Sequence, residues 1–346
     1  MRQVCLLRIS AIGDAVHALA VVRAIQQAEP DTALTWVIGG FERRLMEGIS
    51  GVRLVTFDKG AGLAGYRRLR QELGRETFDV LLHQQVALRA NLASLMIKAA
   101  QRIGYDRQRA RDGHGLFINE RIAAVSGQHV QDALLSFLAP AGITPPAAPT
   151  WNLPISDDDL AFAIEHVDAT RPTLTLCPVS SHALRNWRPE RYAAAADHAA
   201  EFHGMQVIIA GGPSDFEQNY NADIAARMRQ PVLNLTGKDT LKQLAGLLKL
   251  SQLVLAPDTG PMHIANAVGT PVLGLHAASN PRRSGPYSSL DWCVDRYDAA
   301  ARKYLGKPAA QLRWGQKIER PGVMDLIAVS DVTERLDAFA AQLPSQ

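Results

Sequence analysis

The stretch Ala256-Pro257-Asp258-Thr259-Gly260-Pro261-Met262-His263 predicts a strand that passes directly into a helix. Apolar segments, 253–255 and 264–268, flank it on both sides. Pro261 suits a first helical turn, because proline needs no hydrogen-bond donor there and its φ is already helical. The free N–H groups of that turn, at the positive end of the helix dipole, favour a bound phosphate. Asp or Thr before a helix is also a common cap, so the stretch alone leaves a purely structural role open.

Outward from this stretch, short apolar runs alternate with segments of helical periodicity. Such alternation is typical of parallel sheets with helices on both faces. It stops at 140–154, a proline-rich segment typical of a linker, and then resumes. The sequence therefore predicts an α/β protein of two doubly wound units. The predicted strands are Val4–Ile9, Leu34–Ile38 and Val80–Leu82 before the linker, and Leu174–Cys177, Val207–Ala210, Leu253–Ala256 and Val272–Leu275 after it.

We place the first domain at 1–150 and the second at 151–325. The last stretch, 326–346, has apolar residues at helical spacing and is expected to form a helix that packs back on a domain. Ligands of open parallel sheets bind beyond the carboxyl ends of the strands. If two such sheets face each other, these edges line one cleft, so site residues should follow strands directly.

Composition excludes several classes of protein. Of 346 residues, 47% are hydrophobic, and the formal net charge of +3 is too small to indicate a nucleic-acid-binding protein. Cys5, Cys177 and Cys293 lack the spacing of a metal site or a disulfide framework, which fits a reducing cytoplasm.

No apolar run approaches the ~20 residues that span a bilayer, and Arg8 and Asp14 interrupt the first run too early for a signal peptide. We expect a cytoplasmic protein that at most rests on a membrane surface.

Basic residues concentrate in one interval of the first domain. Solvated helix faces explain most such clusters, whereas the sharper interpretation is an anionic partner for this domain. The residues are Arg67, Arg68, Arg70, Arg75, Arg89, Lys98, Arg102, Arg107, Arg109 and Arg111.

Asp14 follows the first predicted strand, at the start of a helix. A carboxylate in this place either complements the helix dipole or accepts the proton of an attacking hydroxyl. His17, one turn later, either orients that carboxylate or packs in the core.

Strand ends of the second domain carry groups that suit a nucleotide. Hydroxyls and a guanidinium bind diphosphate oxygens, glycines let a ligand approach the backbone, and a carboxylate holds ribose hydroxyls. The dinucleotide and P-loop signatures GxGxxG and GxxxxGK[ST] are absent. The residues concerned are Ser180, Ser181 and Arg185, then Gly211, Gly212 and Asp215 or Glu217, then Asp258, Thr259, Gly260 and His263, with Trp187 as a packing residue and Arg282 or Arg283 either at a phosphate or exposed.

In order and spacing these motifs resemble the ADP-heptose–lipopolysaccharide heptosyltransferases, glycosyltransferase family 9. The resemblance covers about residues 1–290 and is carried by Arg8–Asp14, Arg102–Arg107, Pro178–Trp187, Gly211–Pro213, Asp258–His263, Gly269–Val272 and Asn280–Tyr287.

The resemblance implies a GT-B fold of two Rossmann-like domains and an inverting transfer of heptose from ADP-heptose to Kdo or heptose of the lipopolysaccharide inner core. It implies no metal and no other cofactor. The first domain would bind the anionic lipid A–Kdo or inner-core acceptor at the cytoplasmic face of the inner membrane, and the second would bind the donor. Asp14 matches the family's proposed catalytic base, and the donor positions are Ser180, Ser181, Arg185, Asp215 (or Glu217), Asp258, Thr259, Gly260 and His263.

Two departures leave the acceptor and the donor sugar open. Segment 83–86 reads His-Gln-Gln-Val where relatives often have Asp-Leu-Gln-Gly, and segment 278–281 reads Ala-Ser-Asn-Pro where they often have Pro-Thr-Asp-Pro. One alternative is a family 9 transferase that moves another sugar onto a different surface glycan. The other is a nucleotide-sugar-binding protein that has lost catalysis. Segment 290–330 matches no pattern that we can assign.

Overall fold

The computed structural model describes residues 1–343 and divides the chain into two compact units. The first is Met1–Pro154, and the second begins at Ile155, directly after the proline-rich segment. Each unit has its own sheet and its own core.

The first unit is a six-stranded parallel sheet in the order β3-β2-β1-β4-β5-β6. Its strands are β1 (Gln3–Leu7), β2 (Ala33–Gly39), β3 (Val52–Phe57), β4 (Thr77–His83), β5 (Lys98–Gly104) and β6 (Glu120–Arg121). Its α-helices are α1 (Ile12–Ala28), α2 (Gly40–Met46), α3 (Leu63–Leu73), α4 (Leu88–Ser94) and α5 (Val130–Leu135).

The second unit repeats this design with the order β12-β11-β10-β7-β8-β9, again all parallel. Its strands are β7 (Thr173–Leu176), β8 (Gln206–Ile209), β9 (Val232–Asn234), β10 (Leu253–Pro257), β11 (Val272–His276) and β12 (Val294–Asp295). Its α-helices are α6 (Asp157–His166), α7 (Pro189–His203), α8 (Asp215–Arg227), α9 (Leu241–Leu250), α10 (Gly260–Ala267), α11 (Pro281–Ser284), α12 (Tyr297–Leu305) and α13 (Val329–Ala340).

In both units the strand order reverses beside the first strand, which is the arrangement of a doubly wound sheet. The crevice at this reversal lies between β1 and β4 in the first unit and between β7 and β10 in the second. Ligands of such sheets bind there, beyond the carboxyl ends of the strands. The loops after these four strands are therefore where chemistry is expected.

The central strands were predictable because they are buried on both faces and read as apolar runs. β10 is buried along its whole length, for example. Strands that the prediction missed are β3, β5, β6, β9 and β12, which lie toward the edges of the sheets and are partly exposed or very short.

α13 packs on the second unit. Val332, Leu336 and Phe339 are buried in that unit's core, and the helix lies against α7. Residues 344–346, the end of the predicted helical stretch, lie outside the described residues. Within residues 1–343, no helix combines the length and the apolar character needed to cross a membrane.

Candidate active site

Arg8 organises the crevice of the first unit. Its Nε donates to the carbonyl oxygen of Ser10, 2.9 Å away, and its Nη1 donates to the carbonyl of Gln84, just beyond β4. Its Nη2 forms an ion pair with Asp14 in the first turn of α1. One guanidinium therefore joins the loops after β1 and β4 and holds the predicted catalytic carboxylate between them.

Gln85 fixes the same loop from the other side. Its Oε1 accepts a hydrogen bond from the backbone N–H of Ile9 at 2.9 Å, and its Nε2 donates to Ser10 Oγ at 2.9 Å. Gln85 belongs to the 83–86 segment that departs from the usual family pattern, and its role here is to position the backbone.

The Asp14 carboxylate is about one-third exposed, so a hydroxyl can approach it. Burial raises the pKa of Asp14, but the Arg8 guanidinium, His17 and the hydrogen bond from the Ala11 N–H outweigh burial. The net pKa of Asp14 is therefore lowered, and the group is ionised at neutral pH. The Arg8 contact therefore competes with any hydroxyl that approaches this carboxylate.

His17 packs inside the first unit. Its ring is buried, its Nδ1 hydrogen-bonds to Gln131 Oε1 at 2.9 Å, and it packs edge-on against His129. Its influence on Asp14 is the electrostatic one given above. Of the two roles that the sequence left open for His17, packing describes it better.

His83 ends β4 as a fully buried neutral ring. Burial, the neighbouring His114 and Arg102 hold the pKa of His83 well below its usual value. His114 is buried as well, with Nδ1 2.8 Å from Asn91 Oδ1 and Nε2 accepting from the Tyr105 N–H, and burial and Arg121 lower its pKa to about 4. The departure at His83 therefore supplies an uncharged group beneath the crevice.

In the second unit the stretch 256–263 forms the strand end and helix start that the sequence predicts. β10 ends at Pro257, Thr259 is the N-cap residue, and α10 begins at Gly260 with Pro261 in its first turn. The Thr259 hydroxyl donates to the Val179 carbonyl at 3.3 Å, which ties this loop to the loop after β7. The two loops at the crevice are thereby joined.

Asp258 is a largely buried carboxylate at the start of α10. His263 Nε2 lies 3.9 Å from its Oδ1, and Lys317 Nζ lies 3.9 Å from its Oδ2. Burial raises the pKa of Asp258, but His276, Lys317 and His263 lower it more, so the carboxylate stays ionised. Its charge holds His263 and Lys317 at the helix start.

Lys317 lies beside this helix start, and the charges of Arg185 and Arg283 act on it. Burial lowers the pKa of Lys317, and the charges of Arg185 and Arg283 lower it further against the opposing effect of Asp258 and Glu319. Glu319 Oε1 accepts from Arg185 Nε at 2.8 Å. These cations, partly neutralised by Glu319 and Asp258, give the crevice groups that can pair with an anion.

Arg283 is half-buried, whereas Arg282 is exposed, which distinguishes the two arginines of α11. The Arg283 side chain lies over Gly315: a Cβ on that glycine would stand 2.3 Å from Arg283 Nε. Gly315 also has a φ of 81°, a conformation that favours glycine. The 313–317 loop therefore sets the place of two of the three cations.

The remaining predicted donor residues divide into two groups. Ser180 is buried and occupied with its own loop, its Oγ donating to the His182 carbonyl at 2.9 Å, whereas Ser181 is exposed. Asp215 is exposed in the first turn of α8, while Glu217 accepts a hydrogen bond from the Gly212 N–H. Asp215 is therefore the more available carboxylate. Trp187 is fully buried and donates to the Ile327 carbonyl at 3.0 Å, as expected of a packing residue.

Within the basic interval, two arginines are structural. Arg102 donates to the carbonyls of Phe117 and Ile97, and Arg109 pairs with Asp106. The other basic residues of the interval are exposed and remain available to an anionic partner. They are Arg67, Arg68, Arg70, Arg75, Arg89, Lys98, Arg107 and Arg111.

Sequence reasoning missed Lys317 and Glu319, and it quoted Arg8 without giving it a role. Lys317 and Glu319 lie in the segment without an assignable pattern, and only the fold returns that segment to the crevice. Arg8 had a usable signal, since a charged residue at the end of a buried strand needs a partner, and Asp14 is the nearest carboxylate in the sequence.

Comparison with known proteins now identifies the family. The family model "Glycosyltransferase family 9 (heptosyltransferase)" matches residues 66–320. The lipopolysaccharide core heptosyltransferase OpsX of Haemophilus influenzae is 41% identical over 331 residues, which cover 96% of this chain and 95% of that protein. Lipopolysaccharide heptosyltransferase 3 of Escherichia coli is 25% identical over 292 residues, or 78% of this chain and 80% of that protein.

Solved structures agree on the fold. A family 9 glycosyl transferase from Veillonella parvula superposes with a TM-score of 0.80 at 19% identity, covering 99% of this chain and 98% of that one. The E. coli heptosyltransferase WaaC with ADP gives a TM-score of 0.73 at 16% identity, covering 97% and 99%. The predicted GT-B architecture of two Rossmann-like units is confirmed. This chain belongs to glycosyltransferase family 9, the heptosyltransferase family, and is a glycosyltransferase.

Proposed function

We propose that this enzyme transfers heptose from ADP-heptose to Kdo or heptose in the inner core of lipopolysaccharide. The observation that carries the proposal is the 41% identity to a lipopolysaccharide core heptosyltransferase along almost the whole of both chains. The chemistry at the two crevices supports it, because one crevice offers a carboxylate base and the other a set of cations.

The second unit would hold the donor. The ADP phosphates would lie at the N-terminus of α10, between Thr259, Gly260 and His263, with Arg185, Arg283 and Lys317 as counter-charges. Ser180 and Ser181, in the loop after β7, would contact the diphosphate oxygens. Asp215 would accept hydrogen bonds from the ribose hydroxyls. Because fixed cations can stabilise the departing diphosphate, the transfer would require no metal ion.

The first unit would supply the base. Asp14 takes the proton of the acceptor hydroxyl while that oxygen bonds to the anomeric carbon of heptose. The bond from this carbon to the phosphate oxygen breaks at the same time, and ADP leaves with the electron pair. A single displacement of this kind inverts the anomeric configuration. Arg8 keeps Asp14 ionised and in place until the acceptor hydroxyl competes for it.

The acceptor is a lipid-linked anion, so a membrane contact belongs to the proposal. α3 and α4 lie side by side, with the Tyr66 hydroxyl donating to the Arg89 carbonyl at 3.4 Å. Their exposed faces carry both leucines and arginines, a composition that suits the surface of an anionic membrane. The exposed residues are Leu63, Arg67, Arg68, Arg70, Leu88, Arg89 and Leu92.

The test is release of ADP from ADP-heptose with and without Kdo-bearing lipid A, in EDTA. We expect release that depends on the acceptor. Donor binding without release would exclude this acceptor, and turnover only with another nucleotide sugar would favour the alternative family 9 activity.

Asp14→Ala tests the base in the same assay. Turnover should be abolished while calorimetric donor binding stays close to that of the unmodified enzyme, because the carboxylate lies in the other unit. Full activity of this variant would remove Asp14 from the mechanism.

A further inference from the structure

A second chemical cluster lies on the second unit, outside the residues that we assign to transfer. His198 and His203, both on α7, direct their Nε2 atoms at the same oxygen of Asp337 on α13. The distances to Asp337 Oδ1 are 2.6 Å and 2.7 Å. All three ligand atoms lie within 4.8 Å of one another. We propose that these residues form a binding site for a divalent zinc-like ion that fastens α13 to α7.

The residue types fit this ion. Two imidazole nitrogens and one carboxylate oxygen, with water as a fourth ligand, form a common tetrahedral set for Zn²⁺. At bond lengths near 2.0–2.1 Å, tetrahedral ligand atoms lie roughly 3.3 Å apart, so each contact to Asp337 opens by only about 0.6 Å to admit the ion. The two rings stand edge-to-face with centroids 5.5 Å apart, and both Nε2 atoms contact the same Asp337 oxygen.

Burial and rigidity favour the site. The two histidine side chains are about four-fifths buried, while Asp337 is half-exposed and gives an ion and its water a path from solvent. Both helices are anchored, since Ala195, Ala199 and Leu336 are fully or almost fully buried in the core beneath them. Coordination through Nε2 requires only that each ring carry its proton on Nδ1.

The proposed ion site lies far from the crevice to which we assign the transfer reaction. α7 begins at Pro189, just after the loop that follows β7, and ends at His203. At 1.5 Å per residue the helix carries His203 about 20 Å away from that loop, to the amino edge of the sheet where β8 starts. The ion therefore stabilises the attachment of α13, and the proposed transfer at the opposite edge proceeds without it.

The test uses the full-length enzyme, first stripped with EDTA and then titrated with Zn²⁺ alone. Calorimetry should show one site, and the melting temperature should rise with Zn²⁺. His198→Ala and His203→Ala should each weaken Zn²⁺ binding at least about tenfold, because even the loss of a residue behind a metal ligand costs that much. His166→Ala is the matched control: His166 ends α6, with Nδ1 bonded to the Phe162 carbonyl at 2.7 Å, and its loss should leave Zn²⁺ binding unchanged.

Because removal of either histidine also removes a hydrogen bond, each variant is compared with its own EDTA-treated form. Co²⁺ in place of Zn²⁺ should give the visible absorption of a four-coordinate ion, and Asp337→Asn should weaken this signal. No Zn²⁺-dependent rise in melting temperature would overturn the proposal, and so would an equal rise in His198→Ala; the cluster would then be a helix-to-helix hydrogen-bond contact only.

Discussion

Arg8 illustrates how one residue controls another at this site. The Arg8 guanidinium opposes the effect of burial and keeps the pKa of Asp14 below its usual value. Replacing Arg8 by Met removes the opposing charge and leaves burial, so the pKa of Asp14 should rise. The carboxylate would then be protonated at higher pH than in the unmodified enzyme.

The measurement is the pH profile of kcat/KM for ADP-heptose transfer. The acidic limb of Arg8→Met should move to higher pH, while Arg8→Lys, which keeps a cation, should stay closer to the original profile. An acidic limb that does not move in Arg8→Met would mean that Asp14 is not the group that titrates.

Lys317 is the residue on which the donor site can be tested most directly. Its charge interacts with those of Asp258, Arg185 and Arg283, and the neutral replacement Lys317→Met removes one counter-charge for the proposed diphosphate site. A charge-assisted contact is worth about 1.5–3 kcal/mol, so the KM for donor should rise roughly tenfold or more.

Lys303→Met is the matched control, because Lys303 is exposed on α12 and lies over the Tyr304 ring instead of near α10. Its donor KM should not change. Equal effects of the two substitutions would mean that the loss at Lys317 reflects net charge and not a local contact.

At the level of elements, the 313–317 loop holds two cations of the second unit in place: Lys317 belongs to it, and the Arg283 side chain lies over its Gly315. Gly315→Ala should push Arg283 aside and raise the donor KM. Gly306→Ala is the control: its φ of 66° imposes similar backbone strain, but no atom stands within 4 Å of the added Cβ. Both variants should lose stability in thermal melts, and only Gly315→Ala should lose donor affinity.

Element boundaries also explain which predictions succeeded. α10 begins where Gly260 and Pro261 predict it, because the fixed φ of proline favours a first helical turn whatever the rest of the fold does. β5, with the sequence Lys-Ala-Ala-Gln-Arg-Ile-Gly, was missed because only its last two residues are buried, so its strand pattern depends on neighbours and not on its own composition.

At the level of the whole molecule, acid should affect the first unit strongly. The folded pKa of His114 is about 4 against an ordinary 6.5, so the unfolded chain binds the proton first as pH falls. Stability is therefore lost between pH 6.5 and 4, by about 3 kcal/mol for this one group. His83, buried beside it, acts in the same direction.

Thermal melts between pH 7 and 5 measure this effect. His114→Gln should be less stable at pH 7 but should show a shallower fall in melting temperature with pH. His166→Gln, in the second unit, should keep the slope of the unmodified protein. An unchanged slope in His114→Gln would show that other groups dominate acid unfolding.

The sequence by itself determined the two α/β units, the central strands and the strand-to-helix turn around Asp258. These features are local, since buried strands read as apolar runs and the start of α10 carries its own proline. Only the tertiary structure decided that Arg8 also bonds to the Gln84 carbonyl beyond β4, that His17 bonds to Gln131, and that Lys317 comes under the charges of Arg185 and Arg283. Each of these contacts joins residues whose closeness is set by the packing of other elements. The pKa values of Asp14 and Lys317 depend on burial and on the charged side chains that the fold places beside them. The identities of these two residues alone do not predict such shifts.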